Sequence, residues 1–151
     1  MTDILIVGDT TDGKLGLATT ELITAAGNVG SDIGVGLVGT GLQEAAREAS
    51  SIGAGTVYLI ENPKLDEPSV YPKVTAFYQL CHQFQPRVVI VSKNGNGPDF
   101  GARLAFRLGA GLAQDCIRIG EDNAAGRVVA TRPVYGGSAM ATVTFSGDGT
   151  Q

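Results

Sequence analysis

Four short apolar runs rich in β-branched residues punctuate the first two thirds of the chain, at residues 4–7, 33–38, 56–60 and 88–91. Each of the first three leads into a segment whose apolar positions step by three or four, the spacing of one face of an α-helix. The fourth leads into a glycine-rich loop, residues 92–97, and then into another such segment. Leu15, Ala18, Leu22, Ala26 and Val29 define the predicted face of the first helix. Thr40 and Gln43 have the Thr-x-x-Gln spacing of a capping box ahead of Leu42, Ala45, Ala46 and Ala49, and Gly53 closes that second helix. The third helix carries Val70, Val74, Phe77, Cys81 and Phe84 on one stripe, with Pro72 tolerable only in its first turn. Pro98 and Asp99 suit the opening turn of the fourth, Phe100, Leu104 and Leu108 face inward, and Gly109 suits a left-handed C-cap.

From Gln114 the pattern shortens to strands at 115–119 and 127–131, separated by a polar turn at 121–126. A further strand follows at 138–145, in which Ala139, Ala141, Val143 and Phe145 alternate. Strands alternating with helices predict a parallel sheet covered on both faces, an α/β three-layer sandwich, extended by antiparallel C-terminal strands. One domain is expected over residues 1–145, with 146–151 a tail or the start of a linker. In open sheets of this kind a ligand sits beyond the carboxyl ends of the strands where strand order reverses. The loops after the first and fourth strands, the two glycine-rich ones, are therefore the places to look.

Composition narrows the function. With 151 residues and a formal net charge of -4, the chain has the size of one domain and no basic cluster to hold nucleic acid. No apolar stretch approaches the ~20 residues of a membrane span, and Asp3 precedes only a four-residue apolar run, unlike a signal peptide. A cytoplasmic location and no membrane insertion are expected. Cys81 and Cys116 lack metal-ligand or redox spacing; Cys81 reads as a small buried hydrophobe, and His82 as a surface or boundary residue. The stretch from Gly8 to Leu15, "GDTTDGKL", imitates a phosphate-binding loop through Gly8, Gly13 and Lys14. It fails at Leu15, where a hydroxyl would have to hold Mg²⁺. Leu15 is expected instead to begin the apolar face of the first helix, with Lys14 at its entrance. No nucleophile, base and acid can be assembled around one histidine, so no catalytic residues and no metal ligands are expected. Arg103 and Arg107 share one helical face, as a solvated stripe or a docking surface. Arg132, Pro133, Tyr135, Gly136 and Gly137 read as a bend.

Three stretches, taken in order, resemble the N-terminal domain of the electron transfer flavoprotein alpha subunit: "DGKLGLATTELITAA" (12–26), "GPDFGARLAFRLGAGLAQDC" (97–116) and "TRPVYGGSAMATV" (131–143). The resemblance implies an adenine-nucleotide-alpha-hydrolase-like fold with parallel strand order 3-2-1-4-5. It implies a non-catalytic scaffold that docks a beta-type subunit in a heterodimer, with FAD held by a domain absent from this chain. Flavin dehydrogenases and quinone- or ferredoxin-linked redox proteins would be indirect partners. The alternative is a stand-alone module binding AMP or ATP in a crevice formed by Gly8, Asp9, Thr10, Asn94, Gly95, Asn96 and Gly97. The chain departs from the family pattern at Phe100-Gly101-Ala102 and in "NGNGPD" (94–99), beside that crevice.

Overall fold

The computed structural model describes residues 2–122, 124–146 and 150. In chain order the elements are β1 (Ile4–Val7), β2 (Thr10–Thr11), β3 (Lys14–Leu15), α1 (Leu17–Ala26), β4 (Ile33–Gly39), α2 (Gln43–Ser51) and β5 (Thr56–Glu61). Then come α3 (Val70–Phe84), β6 (Val88–Val91), α4 (Gly97–Leu108), β7 (Arg118–Asp122), β8 (Arg127–Val134) and β9 (Ala139–Thr144), with single 3-10 turns at Pro63–Leu65 and Tyr135–Gly137.

The parallel sheet runs β5-β4-β1-β6. Ile4 of β1 lies opposite Ile33 of β4 and Val88 of β6, so strand order reverses at β1. This matches the first four strands of the expected order 3-2-1-4-5; among the described residues the parallel sheet ends at β6, without the fifth strand. The C-terminal strands form a separate antiparallel sheet, β7-β8-β9. Their packing explains the separation: Val128 is buried, and Ile119 packs, with α1 residues in the core on that side, and Arg87 ties β7 to the base of β6 through Glu121 at 3.0 Å. The second sheet thus covers the α1 side of the molecule.

Each face of the parallel sheet has its own core. On one side Ile4, Ile6, Val35 and Leu37 pack with Ile23 and Ala26 of α1 and Ala45 and Ala49 of α2. The alanines of α2 let it approach closely. On the other side Leu5 meets Val74, Phe77 and Cys81 of α3 and Phe100 and Leu104 of α4. Phe77 and Phe100 meet edge to face at 5.5 Å. Burying a side chain of Phe77's size stabilises by about 2–3 kcal/mol. Pro72 falls in the first turn of α3, and Gly109 caps α4 at φ 64.

Three expectations need correction. Leu15 is not in a helix: Lys14–Leu15 pairs with Thr10–Thr11 as a two-stranded ribbon, and α1 starts at Leu17. The ribbon forms because Asp12 and Gly13 take positive φ, 53 and 77, and turn the chain back. The buried face of α1 accordingly comprises Thr19, Ile23 and Ala26. The Thr40–Gln43 capping box does not form, because Asp66 takes both the Thr40 N–H and hydroxyl, at 3.0 and 2.7 Å. Gln43 bonds Glu61 instead, at 2.8 Å. The strand expected at 115–119 lies at Arg118–Asp122, with Asp115 at φ 59 interrupting extended backbone ahead of it. The expected turn at 121–126 spans Asn123, and the expected tail at 146–151 includes 147–149 and 151; these residues lie outside those described. Among the described residues no helix is long and apolar enough to cross a membrane.

Candidate functional site

A crevice of about 250 Å³ opens at the carboxyl ends of β1 and β6, where strand order reverses. Gly8, Asp9, Thr10, Asn94, Gly95, Asn96 and Gly97 all line it, joined by Lys73 of α3. Gly8 leaves β1 and donates its N–H to Gly36 O at 2.9 Å. A Cβ at Gly8 would lie 2.5 Å from Leu37 Cδ2 and 2.9 Å from Gly36 O, so glycine is needed for the strand to turn under β4. Across the crevice, a Cβ at Gly97 would lie 1.8 Å from Ser92 O, so the chain enters α4 by folding directly onto β6's end.

The backbone donors around this crevice are largely engaged. Asp9 N–H donates to Thr19 Oγ1 at 2.8 Å, and Thr10 N–H to Asp9 Oδ1 at 2.9 Å. Asn94 N–H donates to Ser92 Oγ at 3.0 Å, and Gly97 N–H to Asn94 O at 3.0 Å. Pro98, in the first turn of α4, has no N–H, and the Asp99 carboxylate there accepts from Arg103 Nε at 2.8 Å. Gly95 and Asn96 make no backbone N–H bond among the described residues. A bound anion would therefore rely on these two donors and the Lys73 ammonium. The site is weaker than a phosphate loop, whose glycine N–H groups all converge on the ligand.

Thr19, Lys73 and Glu48 shape this region without having been singled out from the sequence. Thr19 is buried and holds the Asp9 turn through its hydroxyl. Its signal is a polar residue on a helix face otherwise apolar. Glu48 of α2 accepts from Leu15 N–H at 2.7 Å and pins the ribbon above the crevice. Lys73 carries no sequence signal, since it reaches the crevice only by the way α3 packs.

A second cavity, of about 310 Å³, follows the outer edge of β6 and is lined by Val89, Val91, Leu112, Cys116, Ile117 and Phe145 among others. At its rim Lys93 pairs with Asp115 at 2.6 Å, and that ammonium holds the Asp115 carboxyl below its ordinary range. Burial pushes the Cys116 thiol up, partly opposed by Arg132. Cys81 is deeply buried, and desolvation pushes its thiol up to about 11, as expected for a cysteine acting as a core hydrophobe. Among the described residues no cluster of His, Cys, Asp and Glu has the geometry to hold a metal ion. Arg103 and Arg107 lie on the solvent side of α4, over Tyr71 and Tyr78 of α3. Arg132 and Pro133 are strand residues of β8, and the bend itself comprises Tyr135–Gly137.

Residues 4–151 match the electron transfer flavoprotein domain family. The chain is 31% identical over 137 residues to the electron transfer flavoprotein subunit alpha of Syntrophomonas wolfei, covering 91% of this chain and 43% of that protein. It is 30% identical over 144 residues to the alpha subunit of Megasphaera elsdenii, covering 93% of this chain and 43% of that protein. It is 34% identical over 143 residues to the alpha subunit of Bacillus subtilis, again covering 93% and 43%. The chain thus spans less than half the length of these relatives. With the doubly covered parallel sheet, the three stretches in order and this end-to-end match, the chain belongs to the electron transfer flavoprotein domain family.

Proposed function

We propose that this chain is an N-terminal domain of an electron transfer flavoprotein alpha subunit and serves as a non-catalytic scaffold of an electron carrier. It docks a beta-type subunit in a heterodimer, while FAD is held by a domain outside these residues and carries the redox chemistry. The observation behind this reading is the match of nearly the whole chain to alpha subunits more than twice its length. The electrons would pass between flavin dehydrogenases and quinone- or ferredoxin-linked proteins in the cytoplasm, indirect partners of this domain. Mixing the purified chain with a beta-type subunit should give a one-to-one complex by size-exclusion chromatography with light scattering. The chain alone should be colourless. Failure to form the complex, or a flavin spectrum on the isolated chain, would overturn the respective part of the proposal.

A second reading is favoured by one observation, the convergence of all seven candidate residues and Lys73 on one crevice. In that reading the crevice takes AMP or ATP. A nucleotide that binds only the folded chain stabilises it by about 2.7 kcal/mol at a hundred times its Kd. A thermal unfolding curve unmoved by millimolar AMP and ATP would remove this reading.

A further inference from the structure

The cavity beside β6 passes through the plane of the parallel sheet. Leu22 and Ala25 of α1 line it from one side of the sheet and Gly101 of α4 from the other, and its far wall is the chain from Gly111 to Ile117. Val88 donates its N–H to Asp3 O at 3.2 Å, toward β1. Alternate residues of a strand in a parallel ladder bond to opposite neighbours, so Val89 and Val91 turn their N–H and C=O groups into the cavity. Among the described residues these groups find no backbone partner there, and no backbone hydrogen bond joins residues 111–116 to β6. The segment also runs in the right direction. α4 carries the chain away from the carboxyl end of β6, and residues 111–115 bring it back to that end, where Asp115 meets Lys93. It therefore lies parallel to β6, alongside a strand edge whose hydrogen bonds are unmade.

Two contacts hold this segment where it is. At its start the Phe145 ring packs on Gly111, where a Cβ would lie 2.5 Å from Phe145 Cδ1. At its end Asp115 takes φ 59, in the left-handed region that few residues other than glycine adopt, and its carboxylate pairs with Lys93 Nζ at 2.6 Å. We propose that residues 111–115 form a strap that closes on the outer edge of β6, and that the Lys93–Asp115 pair is the latch of its open state. Closed, the strap gives Val89 and Val91 their backbone partners and fills the cavity with its own chain. Closing takes Asp115 from φ 59 to the extended region, which swings its carboxylate away from Lys93 and breaks the pair. Both groups of the pair are exposed to solvent, so the latch is weak enough to release. Release also reaches the crevice: Lys93 belongs to the loop after β6, and Val91, Ser92 and Gly97 line both cavities. The strap thus links the outer edge of the sheet to the crevice through one loop, independently of the docking role proposed above.

Hydrogen exchange of the full chain, read at single amides by NMR, tests the strap. In the wild type the Val89 and Val91 amides should exchange faster than those of Val88 and Ile90, which bond to β1. Asp115→Val removes the latch and disfavours the left-handed region, where a β-branched residue is a steric outlier. The Val89 and Val91 amides should then slow by about tenfold or more, while Val88 and Ile90 stay as they were. Lys93→Gln breaks the same pair from an exposed position outside the strap and should slow the same two amides even if Asp115→Val fails to fold. Slowing at Val89 and Val91 in either folded variant supports the strap. Wild-type Val89 and Val91 amides already as slow as Val88 and Ile90, or no slowing in any folded variant, would overturn it and leave the proposed function standing.

Discussion

The two glycine-bearing loops at the crevice are built differently. The loop after β1 is tied to the rest of the molecule: Asp9 to Thr19 of α1, Gly16 N–H to Asp9 O at 2.8 Å, and Leu15 to Glu48 of α2. The loop after β6 is tied chiefly to itself, through Ser92, Asn94 and Gly97. The first is a wall set by its neighbours; the second keeps its form through one close approach and two internal hydrogen bonds, with the exposed Lys93–Asp115 ion pair as its outward tie. Glycine enrichment in a loop is thus compatible with two architectures, and in both the glycines serve backbone packing before any ligand.

The loop after β6 is most sensitive at Gly97. Replacing it with alanine sets a methyl against Ser92 O, a contact no rotamer relieves, and should cost about 3 kcal/mol or more. Chemical denaturation would read the loss, with poor folding as its extreme form. Gly8→Ala should cost about 2 kcal/mol, less because Leu37 Cδ2 is the end of a side chain that can move while Gly36 O cannot. Thr19→Val keeps the shape and removes the acceptor for Asp9 N–H, for about 1–2 kcal/mol. Hydrogen exchange at Asp9 should rise in that variant and stay unchanged at Asn94, which would separate the two loops directly. Gly95→Ala should cost only about 1 kcal/mol, since its φ of 56 strains an alanine but a Cβ there meets nothing within 4 Å. A larger loss at Gly95 than at Gly8 would reverse the account of which loop is the wall set by its neighbours.

A smaller effect concerns pH. The Cys81 thiol, raised to about 11 from an ordinary value of 9.0, keeps its proton longer in the folded chain than in the unfolded one. Its contribution to stability is fully present below pH 9 and is lost as pH rises through about 11. Thermal midpoints measured from pH 8 to 11 should fall, and Cys81→Ala should flatten that slope. At pH 8 a disulfide reagent should modify the half-buried Cys116 first and Cys81 more slowly, because Cys81 is deeply buried and its thiol is pushed up to about 11.

Local pattern was legible wherever one physical cause dominates. The stripe Val74, Phe77 and Cys81 lies where helical periodicity places it, and Gly109 takes the left-handed cap its position calls for. The failures occur where a local motif competes with a distant partner. Thr40 and Gln43 have capping-box spacing, but Asp66 lies 26 residues away in sequence and its carboxylate is the better acceptor. Leu15 fits a helical stripe and is drawn into a ribbon by Asp12 and Gly13. The seven candidate residues could be named from two loops, yet that five of their N–H groups (Gly8, Asp9, Thr10, Asn94 and Gly97) are engaged within the protein follows from the fold.

By itself the sequence determined the four parallel strands, the four helices to within a few residues, the main apolar stripes of the core, and the family through three ordered stretches, because periodicity and motif are properties of neighbours along the chain. Tertiary structure decided the rest. It set the C-terminal strands apart as their own sheet, brought Lys73 to the crevice and stacked Arg103 and Arg107 on Tyr71 and Tyr78. Each depends on the packing of elements far apart in sequence, which no local spacing encodes.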